Sequence, residues 1–283
     1  MPLLPRLINN LPIERCKAPR TNSLLPQNKK IMVAEITVLG SGTRVLLRER
    51  SMSGYAVKRP DFFLLLDCGN GVIRRALEAG LPILHVDAIL FSHLHLDHVA
   101  DLPALLWALD GEGRQRAEQP LRLFGPPGFG NFFARLSDIY GKWIERLPMP
   151  VFIHEVQNER FTLGPWQIKT LPMFHGIPAN GYRLETDGKI LAYTGDTGVC
   201  DEITLLARQA DWLISECAFP DGQGIATHLT AGEAGQLAAR AECRRLLLTH
   251  FYPESLAVDI AAQCRKYFSG HIELASDLQR LIL

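Results

Sequence analysis

The chain has 283 residues, with 30 basic and 30 acidic side chains, so its formal net charge is zero. That balance excludes a strong overall electrostatic footprint for nucleic acid, although a local basic patch stays open. Apolar residues make up 47% of the chain, enough for a full core, which excludes global disorder. The length suits one large domain or two small ones.

Residues 1–31 differ from the rest. They hold several prolines and basic residues and a single acid, Glu14. Prolines and charges interrupt every candidate apolar core of a secretory signal. Two readings stay open: a flexible N-terminal extension, or a mis-assigned start with Met32 as the first residue. Periodic structure begins at Met32, and no linker divides 32–283, which reads as a single domain. No apolar run approaches the roughly 18–20 residues that cross a bilayer, so no membrane is expected. Six cysteines (Cys16, Cys68, Cys200, Cys217, Cys243 and Cys264) are scattered without a CxxC pair. That usage points to a reducing compartment, hence a cytoplasmic protein, with cysteines as small apolar fillers.

In chain order, 36–39 reads as a buried strand ending in Gly40-Ser41-Gly42-Thr43. A second apolar run, 62–66, ends at Asp67-Cys68-Gly69. A helix over 71–79 is stopped by Gly80 and Pro82. The strand 88–91 leads into Ser92-His93. Asp101 can cap a helix to about Leu109, with Pro103 tolerated in its first turn. A strand over 121–124 closes at Gly125-Pro126-Pro127-Gly128, and a helix is expected over 132–143. Strand-like runs follow at 151–156, 166–172, 182–185 and 190–193, the last ending at Thr194-Gly195-Asp196. Another, 212–215, ends at Glu216. Thr230 and Glu233 form a capping box for a helix to about Ala241. The strand 245–249 then delivers His250. Strands alternate with helices, and the reactive residue types fall at strand ends. This pattern implies a layered α/β domain whose site is built from loops on one edge.

The strongest local signal is Ser92-His93-Leu94-His95-Leu96-Asp97-His98. Four metal-ligand types fall within six residues, directly after a strand. An extended turn can aim His93 and His95 at one ion, with Asp97 and His98 placed beside it for a second. Neutral imidazole and carboxylate suit zinc, at about 2.0–2.2 Å. The chain has nine histidines, and three fall here, which tells against a merely polar loop.

His93-x-His95-x-Asp97-His98 resembles the signature of the metallo-β-lactamase superfamily. His175 in Phe174-His175-Gly176, Asp196 in Thr194-Gly195-Asp196 and His250 in Thr249-His250 match that family's later ligands in the correct order. Leu39-Gly40-Ser41-Gly42-Thr43, Leu66-Asp67-Cys68-Gly69, Gly125-Pro126-Pro127-Gly128, Gly181-Tyr182-Arg183 and Glu216 with His228-Leu229-Thr230 resemble the ribonuclease Z-like branch. The likeness covers nearly all of 35–280 and implies a four-layer αββα sandwich.

It also implies two Zn2+ ions, with Mn2+ or Fe2+ suited to the same donors. His93, His95 and His175 would bind the first ion, Asp97, His98 and His250 the second, and Asp196 would bridge. A metal-bridging hydroxide would attack phosphorus in line with the leaving oxygen. His228 would protonate the leaving group, paired with Glu216, so Asp97, His228 and Glu216 are the expected catalytic residues. His228 stands two residues before a helix N-cap, where Glu216 could offset the dipole and keep the imidazole protonated. Asp67 is expected to orient metal-binding groups from behind. His85, His154 and His271 match no ligand. The Gly40–Gly42 turn could offer N–H groups to an anion, but a tight turn is the preferred reading.

Two departures matter. Ribonuclease Z of the common type carries a tRNA-gripping arm between the third histidine and the bridging aspartate, yet His175 and Asp196 stand only 21 positions apart. Asp101 also replaces a frequent glycine, which could alter the mouth of the site. The expected activity is therefore an arm-less phosphodiesterase acting on a small or cyclic phosphodiester or a short nucleic-acid end. Alternatives are a ribonuclease Z-type tRNA 3′ endonuclease, a lactone, thioester or amide hydrolase, and a non-catalytic metal-binding sensor. Substrate choice is expected to lie in loops around 44–60, 110–120 and 219–227. The resemblance allows a homodimer, which no segment requires.

Overall fold

The computed structural model describes residues 32–112 and 118–283. The expected extension at 1–31, and the middle of the 110–120 loop, lie outside the described residues.

The first half of the chain runs β1 (Glu35–Gly40), β2 (Gly54–Arg59), β3 (Phe62–Leu66), α1 (Val72–Glu78), β4 (Ala88–Leu90), α2 (Leu96–Val99), α3 (Leu102–Glu112), β5 (Leu121–Gly125), α4 (Phe129–Tyr140) and β6 (Val151–Glu155). The second half runs β7 (Arg160–Leu163), β8 (Trp166–Pro172), β9 (Asn180–Thr186), β10 (Lys189–Tyr193), α5 (Asp201–Ala207), β11 (Trp212–Glu216), α6 (Ala231–Arg240), β12 (Arg245–Thr249), α7 (Pro253–Leu256), α8 (Ile260–Arg265), β13 (His271–Leu274) and β14 (Arg280–Ile282). They form two seven-stranded mixed sheets, ordered β14-β1-β2-β3-β4-β5-β6 and β13-β12-β11-β10-β9-β8-β7. Helices cover the outer faces, giving the expected four-layer αββα sandwich. The chain's last strand, β14, crosses back to pair antiparallel with β1.

The alternation of side chains along each strand explains the layering. In β3, Leu64 and Leu66 face the second sheet, while Phe63 and Leu65 face the helices. In β4, Ala88 and Leu90 face inward and Ile89 outward. Both faces are buried, so these strands read as unbroken apolar runs. The inner layer takes the largest rings, with Trp166, Tyr182 and Tyr193 packed between the sheets.

Buried hydroxyls fasten one sheet to the other near the strand ends. Tyr182 donates to the Phe91 carbonyl at 2.7 Å, and Tyr55 meets the Thr249 hydroxyl at 2.5 Å. The Asn180 N–H donates to the Ser92 carbonyl at 2.8 Å. Each of these groups would cost about 1–3 kcal/mol if left buried and unpaired, so together they fix the relation between the two edges that carry the site.

Several expectations need correction. The stretch 44–60, expected as a substrate loop, contains β2, a strand paired on both sides. Lys58 and Arg59 broke its apolar run, but Arg59 is buried against Asp61, Thr186 and Asp187. The helix expected over 132–143 starts three residues earlier and ends at Tyr140. Gly128 adopts φ +97°, which turns the chain straight into the helix, and Gly141 at φ +99° stops it. Asp101 does precede α3, and its carbonyl accepts from Leu105 N–H. Its carboxylate, however, accepts from Gly71 and Ile73 N–H and so caps α1. The N–H groups of the Gly40–Gly42 turn are spent internally. Ser41 N–H donates to Asp277 and Gly42 N–H to the Ser51 carbonyl, which agrees with the tight turn preferred above.

Candidate metal centre

Parallel strands β3, β4, β10, β11 and β12 end on one edge, and each delivers a polar residue there. Asp67 follows β3, His93 follows β4, Asp196 follows β10, Glu216 ends β11 and His250 follows β12. His175 comes from the connection between β8 and β9, and His228 from the loop before α6. The backbone makes the turns sharp. Asp67 and His250 both take φ +59°, and Gly195 takes φ +60° with Ser92 packed where a Cβ would sit, at 2.5 Å. Only glycine fits at position 195 without moving the neighbouring strand end.

All seven expected metal-binding residues come together. His93, His95, His175 and Asp196 form one cluster of potential donors, and Asp97, His98 and His250 form a second. In the first cluster His95 Nδ1 stands 3.0 Å from His93 Nε2 and 3.1 Å from His175 Nε2, and Asp196 Oδ2 is 3.6 Å from His93 Nε2. In the second, Asp97 Oδ2 is 3.9 Å from His98 Nε2 and 3.5 Å from His250 Nε2. Asp196 Oδ1 stands 3.3 Å from each of those two nitrogens. Four donors at about 2.0–2.2 Å from a tetrahedral ion lie roughly 3.3–3.6 Å from one another, and the 3.0–3.9 Å separations in the two clusters bracket that spacing.

The unpaired atoms point the same way. His98 Nε2, Asp196 Oδ1 and both His250 nitrogens are buried without a hydrogen-bond partner. Left so, each would cost on the order of 1–3 kcal/mol, and a bound cation removes that cost for the donors it takes. The donor set of imidazole and carboxylate fits zinc, manganese or iron.

Burial pushes the His93 imidazole far below its ordinary pKa, with the neighbouring His98 acting in the same direction, so His93 favours the neutral, ligating form. Burial acts to lower His98 too, but the Asp196 and Asp67 carboxylates outweigh it and raise that imidazole well above its usual value. A metal taking His98 Nε2 must therefore displace a proton, so metal binding weakens as pH falls. Burial would raise Asp97, but the His250 imidazole 3.5 Å away and the His98 imidazole outweigh it, lower the carboxyl and keep it ionised.

Supporting groups set each ring. Asp67, fully buried, accepts from Ser92 N–H at 2.6 Å, from Ser92 Oγ at 2.8 Å, from Tyr193 Oη at 2.5 Å and from His98 Nδ1 at 2.7 Å. The last contact aims His98 Nε2 at the cluster. His175 Nδ1 donates to the Thr227 carbonyl at 3.1 Å and leaves its Nε2 free to ligate. Asp67→Asn keeps the shape but weakens acceptance of these donors. It is expected to lower affinity for a metal at the Asp97, His98 and His250 cluster about 10–100-fold, read by competition with a chromophoric chelator. Unchanged affinity would rule out the orienting role.

His228 lies beside the clusters, its ring 5.7 Å from that of His250 and nearly parallel to it. Its Nδ1 donates to Glu216 Oε1 at 2.9 Å. Glu216 is 1% exposed and also accepts from Thr197 N–H at 2.6 Å and Leu229 N–H at 3.0 Å. Three donors fix the carboxylate as an acceptor. Burial would lower the His228 imidazole, but Glu216's hydrogen bond and charge outweigh it, and the group is raised.

His85, His154 and His271 lie elsewhere. His154 stacks on Phe124, and His271 pairs with Glu273. Ser92, Tyr193 and Thr227 carry supporting roles that the sequence did not single out. Ser92 directly precedes His93 and Tyr193 stands three residues before Asp196, which is a usable signal, whereas Thr227 acts through its carbonyl and leaves none. Among the described residues five cysteines are unpaired, four of them buried. None of the described helices is long and apolar enough to cross a membrane.

Comparison with known proteins agrees with this geometry. A family model described as a β-lactamase superfamily domain matches residues 63–251. An uncharacterized protein of Mycobacterium tuberculosis (strain ATCC 25618 / H37Rv) is 32% identical over 254 residues, covering 86% of this chain and 89% of its own. A ribonuclease Z of Mycobacterium bovis (strain BCG / Pasteur 1173P2) is 30% identical over 281 residues, covering 87% of this chain and 97% of its own. Among solved structures, the metallo-β-lactamase fold protein YhfI from Bacillus subtilis superposes with a TM-score of 0.78 at 26% identity, covering 89% of this chain and all of that one. The chain belongs to the metallo-β-lactamase superfamily, as a ribonuclease Z-like member and a metal-dependent hydrolase.

Proposed function

We propose that residues 32–283 form one catalytic domain that hydrolyses a small phosphodiester at a dinuclear metal centre. His93, His95 and His175 would hold one ion and Asp97, His98 and His250 the other, with Asp196 placed to serve both. The observation that carries this reading is the split of the Asp196 carboxylate, with Oδ2 turned to His93 and Oδ1 to His98 and His250. A pair of divalent ions so held supplies water activated near neutral pH and polarises a phosphoryl oxygen.

The chain's own residues supply the rest. Asp97 stays ionised and balances cationic charge. Glu216 fixes His228 by its Nδ1 and keeps the ring protonated, leaving Nε2 to give a proton to the leaving oxygen. His95 is exposed and His175 half-buried, so substrate reaches the centre from their side.

The stretch from His175 to Asp196 is spent on β9, a tight turn and β10, which leaves no room for a tRNA-gripping arm. This favours a small diester over tRNA. The identity with a ribonuclease Z favours tRNA 3′ processing as the second reading. Protein loaded with zinc or manganese is expected to hydrolyse bis(p-nitrophenyl) phosphate, and chelation is expected to remove that activity. It is expected to leave precursor tRNA uncut. Efficient tRNA cleavage would replace the first reading with the second. Two bound metals without diester turnover would sink both and favour lactone, thioester, amide or sensor roles.

A further inference from the structure

A cavity of about 650 Å3 opens beside His228, walled by Val199 and by residues of the stretch 221–226. Its wall includes the apolar Val199 and Ile225, the polar Gln236 and Tyr267, and two carboxylates, Asp221 and Glu233. Among the described residues, no lysine or arginine lines it. The size suits one small organic group.

The floor of this cavity is the start of α6. A ten-residue helix would ordinarily attract an anion there, through its free N–H groups and dipole. Here the chain uses those groups itself. Ala231 N–H donates to the Phe219 carbonyl at 3.2 Å, Gly232 N–H to Asp221 Oδ1 at 2.7 Å and Glu233 N–H to Thr230 Oγ1 at 3.4 Å. Glu233 Oε2 in turn accepts from Thr230 N–H at 2.8 Å. Two carboxylates thus occupy the place an incoming phosphate would take. Their charge opposes a second anion, and no cation among the described residues of the wall offsets it.

We propose that this cavity is the leaving-group subsite, and that it accepts an uncharged alcohol while rejecting one that carries its own phosphate. The inference rests on the phosphodiesterase reading above. In the reaction a water oxygen bonds to phosphorus and the P–O bond to the leaving alcohol breaks. One water proton passes to solvent, and His228 gives a proton to the departing oxygen. The products are a phosphomonoester and the free alcohol, released into the cavity beside His228. A nucleoside hydroxyl fits this description, whereas the interior of a nucleic-acid strand does not, because its leaving group carries further phosphates.

The test uses metal-loaded enzyme and a dinucleoside monophosphate, with the products identifying which nucleoside leaves. A terminal phosphate is then added to that nucleoside or to the other one. On the leaving side it is expected to lower kcat/KM by about tenfold or more, and on the other side to cost much less. The ratio of kcat/KM for the two leaving groups is read within one protein, so losses of fold or metal cancel. Asp221→Asn keeps an acceptor for Gly232 N–H, and Gln236→Lys adds a cation at the rim. Both are expected to shrink the ratio several-fold. Turnover with no penalty on the leaving side, or a ratio untouched by both variants, would overturn the subsite and leave the phosphodiesterase reading standing. No turnover of any diester would overturn both.

Discussion

Asp196→Ala is expected to lower kcat/KM for bis(p-nitrophenyl) phosphate by about 10^2-fold or more and to reduce the bound metal. The size follows from what the carboxylate touches. Its two oxygens stand 3.3–3.6 Å from His93, His98 and His250, all buried, so one carboxylate reaches both clusters. Removing one partner from a buried charge network costs about 3–5 kcal/mol, because the remaining groups stay buried and unpaired. At about 1.4 kcal/mol per tenfold, that alone accounts for roughly two to three and a half orders of magnitude. Elemental analysis separates the causes. Loss of metal with loss of turnover supports the bridging role. Two ions retained at full occupancy with near-normal turnover would refute it. Asp196→Asn keeps the shape and one acceptor oxygen, and is expected to fall between the variant and the parent.

The legibility of this site follows distance along the chain. His93, His95, Asp97 and His98 fall within six residues, the first two on the connection after β4 and the last two in α2, so their spacing alone suggests a metal. His175, Asp196 and His250 are single residues on separate strand ends. Only the order of matches to a known family connected them, since nothing local distinguishes a ligand histidine from a structural one. Asp101 shows how a local rule fails. A capping aspartate is assigned to the helix that follows it, yet its carboxylate caps α1, some 30 positions earlier. The position of β2 was hidden for a similar reason. Its buried Arg59 looks like a surface residue until Asp61 and Asp187 are brought to it. The C-terminal strand β14 was also missed. Asp277, just before it, accepts from Ser41, Ser51 and Arg75, contacts more than 200 positions apart in sequence. Patterns of period two and period 3.6 reveal elements with uniform faces, whereas partners supplied by remote strands leave no trace in a short window.

His228→Ala is expected to show its effect only where the leaving group needs a proton. With an alkyl or nucleoside leaving group, kcat/KM is expected to fall about 10^2–10^4-fold, the usual range for a positioned general acid. With p-nitrophenolate, which departs as an anion without help, the loss is expected to be much smaller. The pH profile gives the second readout. Glu216 raises the His228 imidazole, so the acid form persists above the ordinary histidine range. Activity on an alkyl diester is then expected to decline as pH rises through that raised value. Glu216→Gln removes the charge while keeping an oxygen to accept from Nδ1. The alkaline limb is expected to move to lower pH, because the ring loses the partner that favoured its protonated form. The limb for the aryl diester is expected to stay in place. A purely structural pair would instead lower both substrates together with no shift in either limb, and that outcome would remove His228 from the proton-transfer step. A shift confined to the alkyl diester would leave His228 as the donor and Glu216 as the residue that positions and charges it.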